Sequence, residues 1–221
     1  MKNAETPVVK LVLYGAMSSL GSALMAESLR RQHEVIAILD DLTALAPRPG
    51  LRTKGGSLFD PQQVKHSVAG SSAVICLLDA PQLPGSATPG QSCAPQDQAR
   101  AVAALVAGLQ AAAIRRLILV GDFAVLDNPN PAPAASLPRE IAQEILAALH
   151  ASPLDWTLVN APAGLPGLGI EHFNQVSSSL EPGLAEPLRR LNGVAIGIND
   201  ELRLNLHLRE HVQFVDTLAQ G

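Results

Sequence analysis

Gly15 and Gly21 frame the segment Gly15-Ala16-Met17-Ser18-Ser19-Leu20-Gly21. An apolar run of strand length, residues 8–14, leads into it, and Leu20, Ala23, Leu24 and Leu29 lead away with helical spacing. Gly15 permits a tight turn that a Cβ would obstruct. Gly21 lets the helix pack close to the strand. Between them, the backbone N–H groups of Ser18, Ser19 and Leu20 are expected to point outward at a helix N-terminus. That end carries partial positive charge and unpaired donors, so it offers a seat for a diphosphate.

Asp40 ends the next apolar run, about 20 residues beyond Gly21, the separation at which an acid reaches the ribose of a dinucleotide held on such a turn. A carboxylate there accepts ribose hydroxyls and repels a 2′-phosphate, which favours NAD over NADP. The plainer alternative is that Asp40-Asp41 caps the following turn. Other constellations fall short. Residues 50–57 mimic a P-loop, but Gly56 stands where the lysine is required. No Gly-x-Ser-x-Gly elbow exists. His207 and His211 have no third ligand nearby, so no metal site is expected. His172, beside Glu171 in a long loop, is read as a surface residue, with a place facing a substrate the alternative.

These groups need a frame, and the order of patterns supplies one. Apolar runs at 8–14, 34–39, 73–78, 117–120 and 156–159, with a weaker one at 51–55, read as strands. Helical patterns follow at 20–31, at 60–61 onward (Asp as N-cap, Pro at the first position), at 96–112 and at 137–150. Segments 194–198 and 202–206 flank Asn199-Asp200 and read as a hairpin or one bent strand; 208–219 reads as a closing helix. Continuous runs alternating with helices imply a doubly wound, mostly parallel α/β sheet with helices on both faces, the Rossmann architecture. No interior linker marks a boundary, so residues 1–221 are read as one domain. The long Pro- and Gly-rich connections at 79–95, 122–138 and 161–187 all leave the carboxyl edge of that sheet, where such folds bind ligands. The substrate side is assigned to loops 79–95, 122–138 and 161–190. Asp122 and Asn160, just past the fifth strand and at the end of the sixth, are its substrate-side candidates, with a turn or N-cap role the alternative for Asp122.

Composition narrows the classes. The chain has 221 residues, 47% hydrophobic and 16% charged, enough to bury one core. A net charge of −4 and the absence of a basic cluster argue against nucleic acid. The 2 cysteines, Cys76 and Cys93, make neither a disulfide framework nor a metal quartet. No apolar run is long enough to span a membrane and no secretory leader is seen, so a cytoplasmic protein is expected.

The chain resembles the atypical short-chain dehydrogenases, in particular the NmrA-like and NADH-flavin or biliverdin-flavin reductase-like group. The residues are Gly15-Ala16-Met17-Ser18-Ser19-Leu20-Gly21 against G-A-T-G-x-x-G, and His33-Glu34-Val35-Ile36-Ala37-Ile38-Leu39-Asp40 after the first helix. Gly56-Ser57-Leu58-Phe59-Asp60-Pro61 is similar to G-D-V-x-D-P. Arg115-Arg116-Leu117-Ile118-Leu119-Val120-Gly121 and Ser152-Pro153-Leu154-Asp155-Trp156-Thr157-Leu158-Val159 extend the likeness. The resemblance implies NAD or NADP as cofactor, held by Gly15, Met17, Ser18, Ser19, Leu20, Gly21, Asp40, Ser57, Leu58, Leu77 and Leu78. The chain departs from the pattern at Ser18 (the middle glycine), at Ser57 (an Asp that reaches the adenine), at Asp40 (an Arg) and at Asn160-Ala161-Pro162 (R-P-P).

Ordinary short-chain dehydrogenases use a Tyr-x-x-x-Lys pair. Here the only tyrosine is Tyr14, inside the first strand, and the lysines are Lys2, Lys10, Lys54 and Lys65. The pair is absent. What remains is hydride transfer to a small conjugated acceptor, a flavin or a quinone, which needs positioning more than acid–base help. A dinucleotide-sensing regulator without turnover, and a scaffold that has lost its cofactor, are the other readings. A homodimer is left open.

Overall fold

The computed structural model describes residues 8–86, 93–127, 137–161, 167–174 and 183–213. The strands are β1 (Lys10–Tyr14), β2 (Glu34–Leu39), β3 (Leu51–Gly55), β4 (Ala73–Leu77), β5 (Arg116–Gly121), β6 (Asp155–Asn160) and β7 (Glu210–Gln213). They form one 7-stranded sheet in the order β3-β2-β1-β4-β5-β6-β7. Every pairing is parallel. The Rossmann-like, doubly wound architecture read from the sequence is therefore present. β4 is buried throughout and β1 from Leu11 to Tyr14, which is why both read as unbroken apolar runs.

The helices are α1 (Ser19–Arg30), α2 (Pro61–Val68), α3 (Pro95–Ala111), α4 (Ala124–Asp127), α5 (Arg139–Ala151), α6 (Ile170–Asn174) and α7 (Ala185–Leu204). One layer joins α1 to α6 and α7; the other joins α2 to α3 and α3 to α5. Asp60 caps α2 by accepting the Gln62 N–H at 2.8 Å, and Pro61 opens the helix. The strand order reverses between β1 and β4. The crevice for a ligand therefore opens at their carboxyl ends.

The last third of the chain departs from expectation. Segments 194–198 and 202–206 are not a hairpin: most of both lies in the long helix α7. Leu188, Leu191, Val194, Ala195, Ile198 and Leu202 recur at three- and four-residue spacing and are buried. Asn199, taken for a turn residue, is fully buried inside the helix. It accepts the Ser28 Oγ–H at 2.9 Å and donates to the Ala195 carbonyl at 2.9 Å, tying α7 to α1. The helix ends later, at Asn205, in the left-handed conformation with φ 52°. Nor does a helix begin at 208: residues 210–213 form β7, which pairs with β6 from Thr157 to Asn160. The remainder of the segment assigned to that helix, 214–219, lies outside the described residues. The third connection is also shorter than 161–190, because α7 begins at Ala185 and takes Pro187 into its first turn, where a missing N–H costs nothing.

Candidate functional site

The β1–α1 turn has the shape the glycine spacing requires. Gly15 has φ +83°, and a Cβ on it would stand 2.8 Å from Ala80 Cβ and 2.9 Å from Leu77 Cβ. A Cβ on Gly21 would stand 2.3 Å from the Gly15 carbonyl oxygen. One glycine makes the turn and the other lets α1 close onto it.

Ser18 departs from expectation. It is the N-cap of α1: its Oγ accepts the Gly21 N–H at 3.0 Å and donates to the Gly15 carbonyl at 2.8 Å. Its own N–H donates to the same carbonyl at 3.1 Å. Of the three amides expected to face outward, Ser18's is therefore committed inside the turn. Those of Ser19 and Leu20 have no protein partner among the described residues. They are the donors left for an anion.

Beside this turn lies a cavity of about 430 Å³. Its walls are Met17, Ile38 and Leu39 at the end of β2, the adjoining Asp40 and Asp41, Ala44, and residues 82–86, which follow β4. Asp40 stands at its rim and accepts the Gly85 N–H on Oδ1 at 3.0 Å. Asp41 makes the turn cap foreseen as the alternative: its Oδ1 accepts the Thr43 N–H at 2.8 Å and the Thr43 hydroxyl at 2.7 Å. Those bonds hold the Asp41 carboxyl below its ordinary range.

The other residues expected at a cofactor are placed differently. Ser57 and Leu58 do not line the cavity. Ser57 Oγ accepts the Phe59 N–H at 3.1 Å, and the Leu58 N–H donates to the Pro84 carbonyl at 2.8 Å. Leu77 and Leu78 are buried in the core, behind the Gly15 turn. Asp122 Oδ1 accepts the Ala124 N–H at 3.3 Å, as the turn reading of that residue expects. Asn160 Oδ1 accepts the Phe123 N–H at 3.2 Å. Both stand at the carboxyl edge but help to fix the start of α4. Outside this region, Glu171 pairs with Arg48, and His172 Nδ1 lies 3.1 Å from the Gly169 nitrogen. No cluster of metal-ligating side chains occurs among the described residues.

One acid at this edge escaped the sequence reading. Asp79 stands two residues past the end of β4, at the reversal of strand order. Burial, and then the charge of Asp122, raise its pKa above the ordinary 3.8, against the pull of its own backbone N–H. Its charged form is thus disfavoured relative to that of an exposed aspartate. The signal was Asp closing an apolar run at a central strand. Tyr14, the one tyrosine of the chain, is fully buried, and burial pushes its phenol upward so that it keeps its proton. Burial likewise raises Cys76, and pushes Cys93 up to about 11.

Residues 15–166 match a family described as NAD(P)H-binding. No curated protein matches the chain. Among solved structures, a short-chain dehydrogenase/reductase of Veillonella parvula in complex with NADP aligns with TM-score 0.65 and 15% identity, over 97% of this chain and 98% of that one. An oxidoreductase of Lactococcus lactis aligns with TM-score 0.64 and 16% identity, over 92% and 89%. An enzyme of Bordetella bronchiseptica in complex with NAD+ aligns with TM-score 0.61 and 15% identity, over 94% and 75%. At these identities the likeness is one of fold. No helix among the described residues is long and apolar enough to cross a membrane.

Proposed function

The chain belongs to the NAD(P)H-binding family, and from that premise we propose that it is a reductase of the flavin-reductase-like kind, which uses NADH in preference to NADPH. One observation carries the reading. A Gly15–Gly21 turn that tolerates no Cβ leaves the Ser19 and Leu20 amides without a protein partner among the described residues, and its Met17 lines a cavity rimmed by Asp40. The residues present fit a dinucleotide. The Ser19 and Leu20 amides and the α1 dipole would hold its diphosphate. Asp40 would take a ribose hydroxyl and, with Asp41 alongside and no cation among the described residues that line the cavity, would repel a 2′-phosphate.

A reduced nicotinamide bound there supplies a hydride. The protein's part is to orient and to exclude water. Asp79 and Asp122 stand at the edge where a small conjugated acceptor, a flavin or a quinone, would lie. With no Tyr-Lys pair, the reduced acceptor takes its proton from solvent. In this reading the protein acts in the cytoplasm.

Calorimetry with NADH and NADPH tests the first half, and NADH should bind more tightly. Oxidation of NADH with FMN or a quinone, followed by the absorbance of the reduced nicotinamide, tests the second. Asp40→Arg should move preference toward NADPH; an unmoved preference removes Asp40 from the ribose. A second reading is favoured by Asp122 and Asn160 both being bonded to backbone amides. It is a dinucleotide-sensing regulator, like the NmrA-type proteins, and tight NADH binding without turnover on any acceptor would select it.

A further inference from the structure

A second cavity, of about 220 Å³, lies at the far flank of the sheet, where the end of α7 meets β6 and β7. Thr157 and Val159, two residues apart on β6, share one face of the sheet, and Val212 of β7 pairs with Val159. Ile198 closes the space from α7, and Leu204 and Leu206, both exposed, line its mouth. Asn205, in the left-handed conformation, turns the chain out of α7 and brings His207 to the same cavity. His207 is held there at three points. Its N–H donates to Glu201 Oε1 at 3.0 Å, its carbonyl accepts the Thr157 hydroxyl at 2.8 Å, and its Nδ1 lies 2.8 Å from Glu201 Oε2.

Glu201 is paired with Arg116 and, as a carboxylate, only accepts, so His207 Nδ1 carries the proton between them. The neutral ring keeps its lone pair on Nε2, which has no partner among the described residues. We propose that this cavity is a small-molecule site separate from the Gly15–Gly21 turn, for an uncharged ligand of one apolar ring and one hydroxyl, the hydroxyl donating to His207 Nε2. The volume sets the size: it falls below the range of drug-sized sites and leaves room for a single ring. The walls set the polarity. Asp200 and Glu201 line the cavity, and no arginine or lysine does so among the described residues, so an anion is repelled. A cation gains little, because Arg31 already pairs with Asp200 and Arg116 with Glu201. It would also lose its hydration against valine and leucine. A neutral hydroxyl meets neither cost, and the ring behind it would cover the exposed leucines at the mouth.

The site stands whether or not a dinucleotide binds at β1. Titration of the unaltered protein with para-cresol, followed by the amide resonances of Gly197, Leu204 and Val212, should move those three saturably at millimolar concentration. Toluene, which lacks the hydroxyl, should bind about tenfold more weakly. Para-toluate, with a carboxylate in place of the hydroxyl, should bind no better than toluene. His207→Phe should bring para-cresol down to the level of toluene. The ligand comparison on the unaltered protein needs no variant and stands if that one fails to fold. The absence of a saturable shift with para-cresol, equal affinity for para-cresol and toluene, or tighter binding of para-toluate would overturn the site. So would movement of the same amides with protein concentration alone, together with a dimer in sedimentation, which would assign this face to a second copy of the chain.

Discussion

Arg116 Nη2 lies 2.9 Å from Glu201 Oε1, and both side chains are about 90% hidden from water, so β5 and the end of α7 are joined by a buried ion pair. Arg116 Nη1 also donates to Thr157 Oγ1 at 2.8 Å, and His207 Nδ1 lies 2.8 Å from Glu201 Oε2. Such a pair is weak evidence of net stabilisation, but removing one member strands the other. Glu201→Gln should therefore cost about 3 kcal/mol, lowering Tm by about 6–12 °C. The apolar double replacement Arg116→Met with Glu201→Leu should recover most of that loss. Thermal unfolding of the three variants checks both statements.

The same glutamate sets an acid limit. Burial acts to raise its pKa, but the His207 backbone N–H, the His207 ring and the Arg116 charge prevail and hold it below the ordinary 4.5. The stabilisation it contributes is complete above 4.5 and is lost as pH falls through the lower folded value. The Tm deficit of Glu201→Gln should accordingly shrink in acid.

Asp79 carries the opposite sign. Its folded pKa lies above the unfolded 3.8, so the folded state binds the extra proton and stability falls as pH rises from 3.8 through the folded value. Asp79→Asn removes that penalty. It should raise Tm at neutral pH, with the gain vanishing below 3.8, as a pH series of melting curves would show.

Ser18 separates stability from affinity. Ser18→Ala loses the cap on α1 and should cost about 1 kcal/mol, whereas Ser18→Gly should cost a few tenths of a kcal/mol. The glycine variant also releases the Gly21 N–H from Ser18 Oγ and clears the Cβ from the turn. NADH should bind it more tightly than the unaltered protein in calorimetry, and equal binding would show that the serine does not crowd the diphosphate.

Ala113 closes α3 with φ 57°, a conformation that costs an L-residue roughly 1–2 kcal/mol. Ala113→Gly should be more stable than the parent by about 1 kcal/mol in denaturant unfolding, with nucleotide binding unchanged.

The first half of the site was legible because each of its needs maps onto one residue type. A φ of +83° at position 15 and a 2.3 Å approach at position 21 both demand glycine, and glycine is written there. What stayed hidden is long-range. Gly85 and Asp40 are far apart in the chain, and nothing local in a Pro- and Gly-rich loop marks which of its amides will meet an acid. The α7 misreading has a different cause: Asn199-Asp200 has the composition of a turn, but Asn199 satisfies its side chain on Ser28 and on its own helix. Tertiary contact overrode local propensity. β7 was missed because four residues, Glu210 to Gln213, are too few to show a period.

The strand order also bears on how the chain is made. β1 leaves the ribosome ahead of the other strands yet ends at the interior of the sheet, where Leu11 pairs with Val35 on one side and Ala73 on the other. Until Ala73 has emerged, one flank of an apolar strand is bare. Nascent chains arrested before that point should therefore engage holdase chaperones, and those arrested well after it should not.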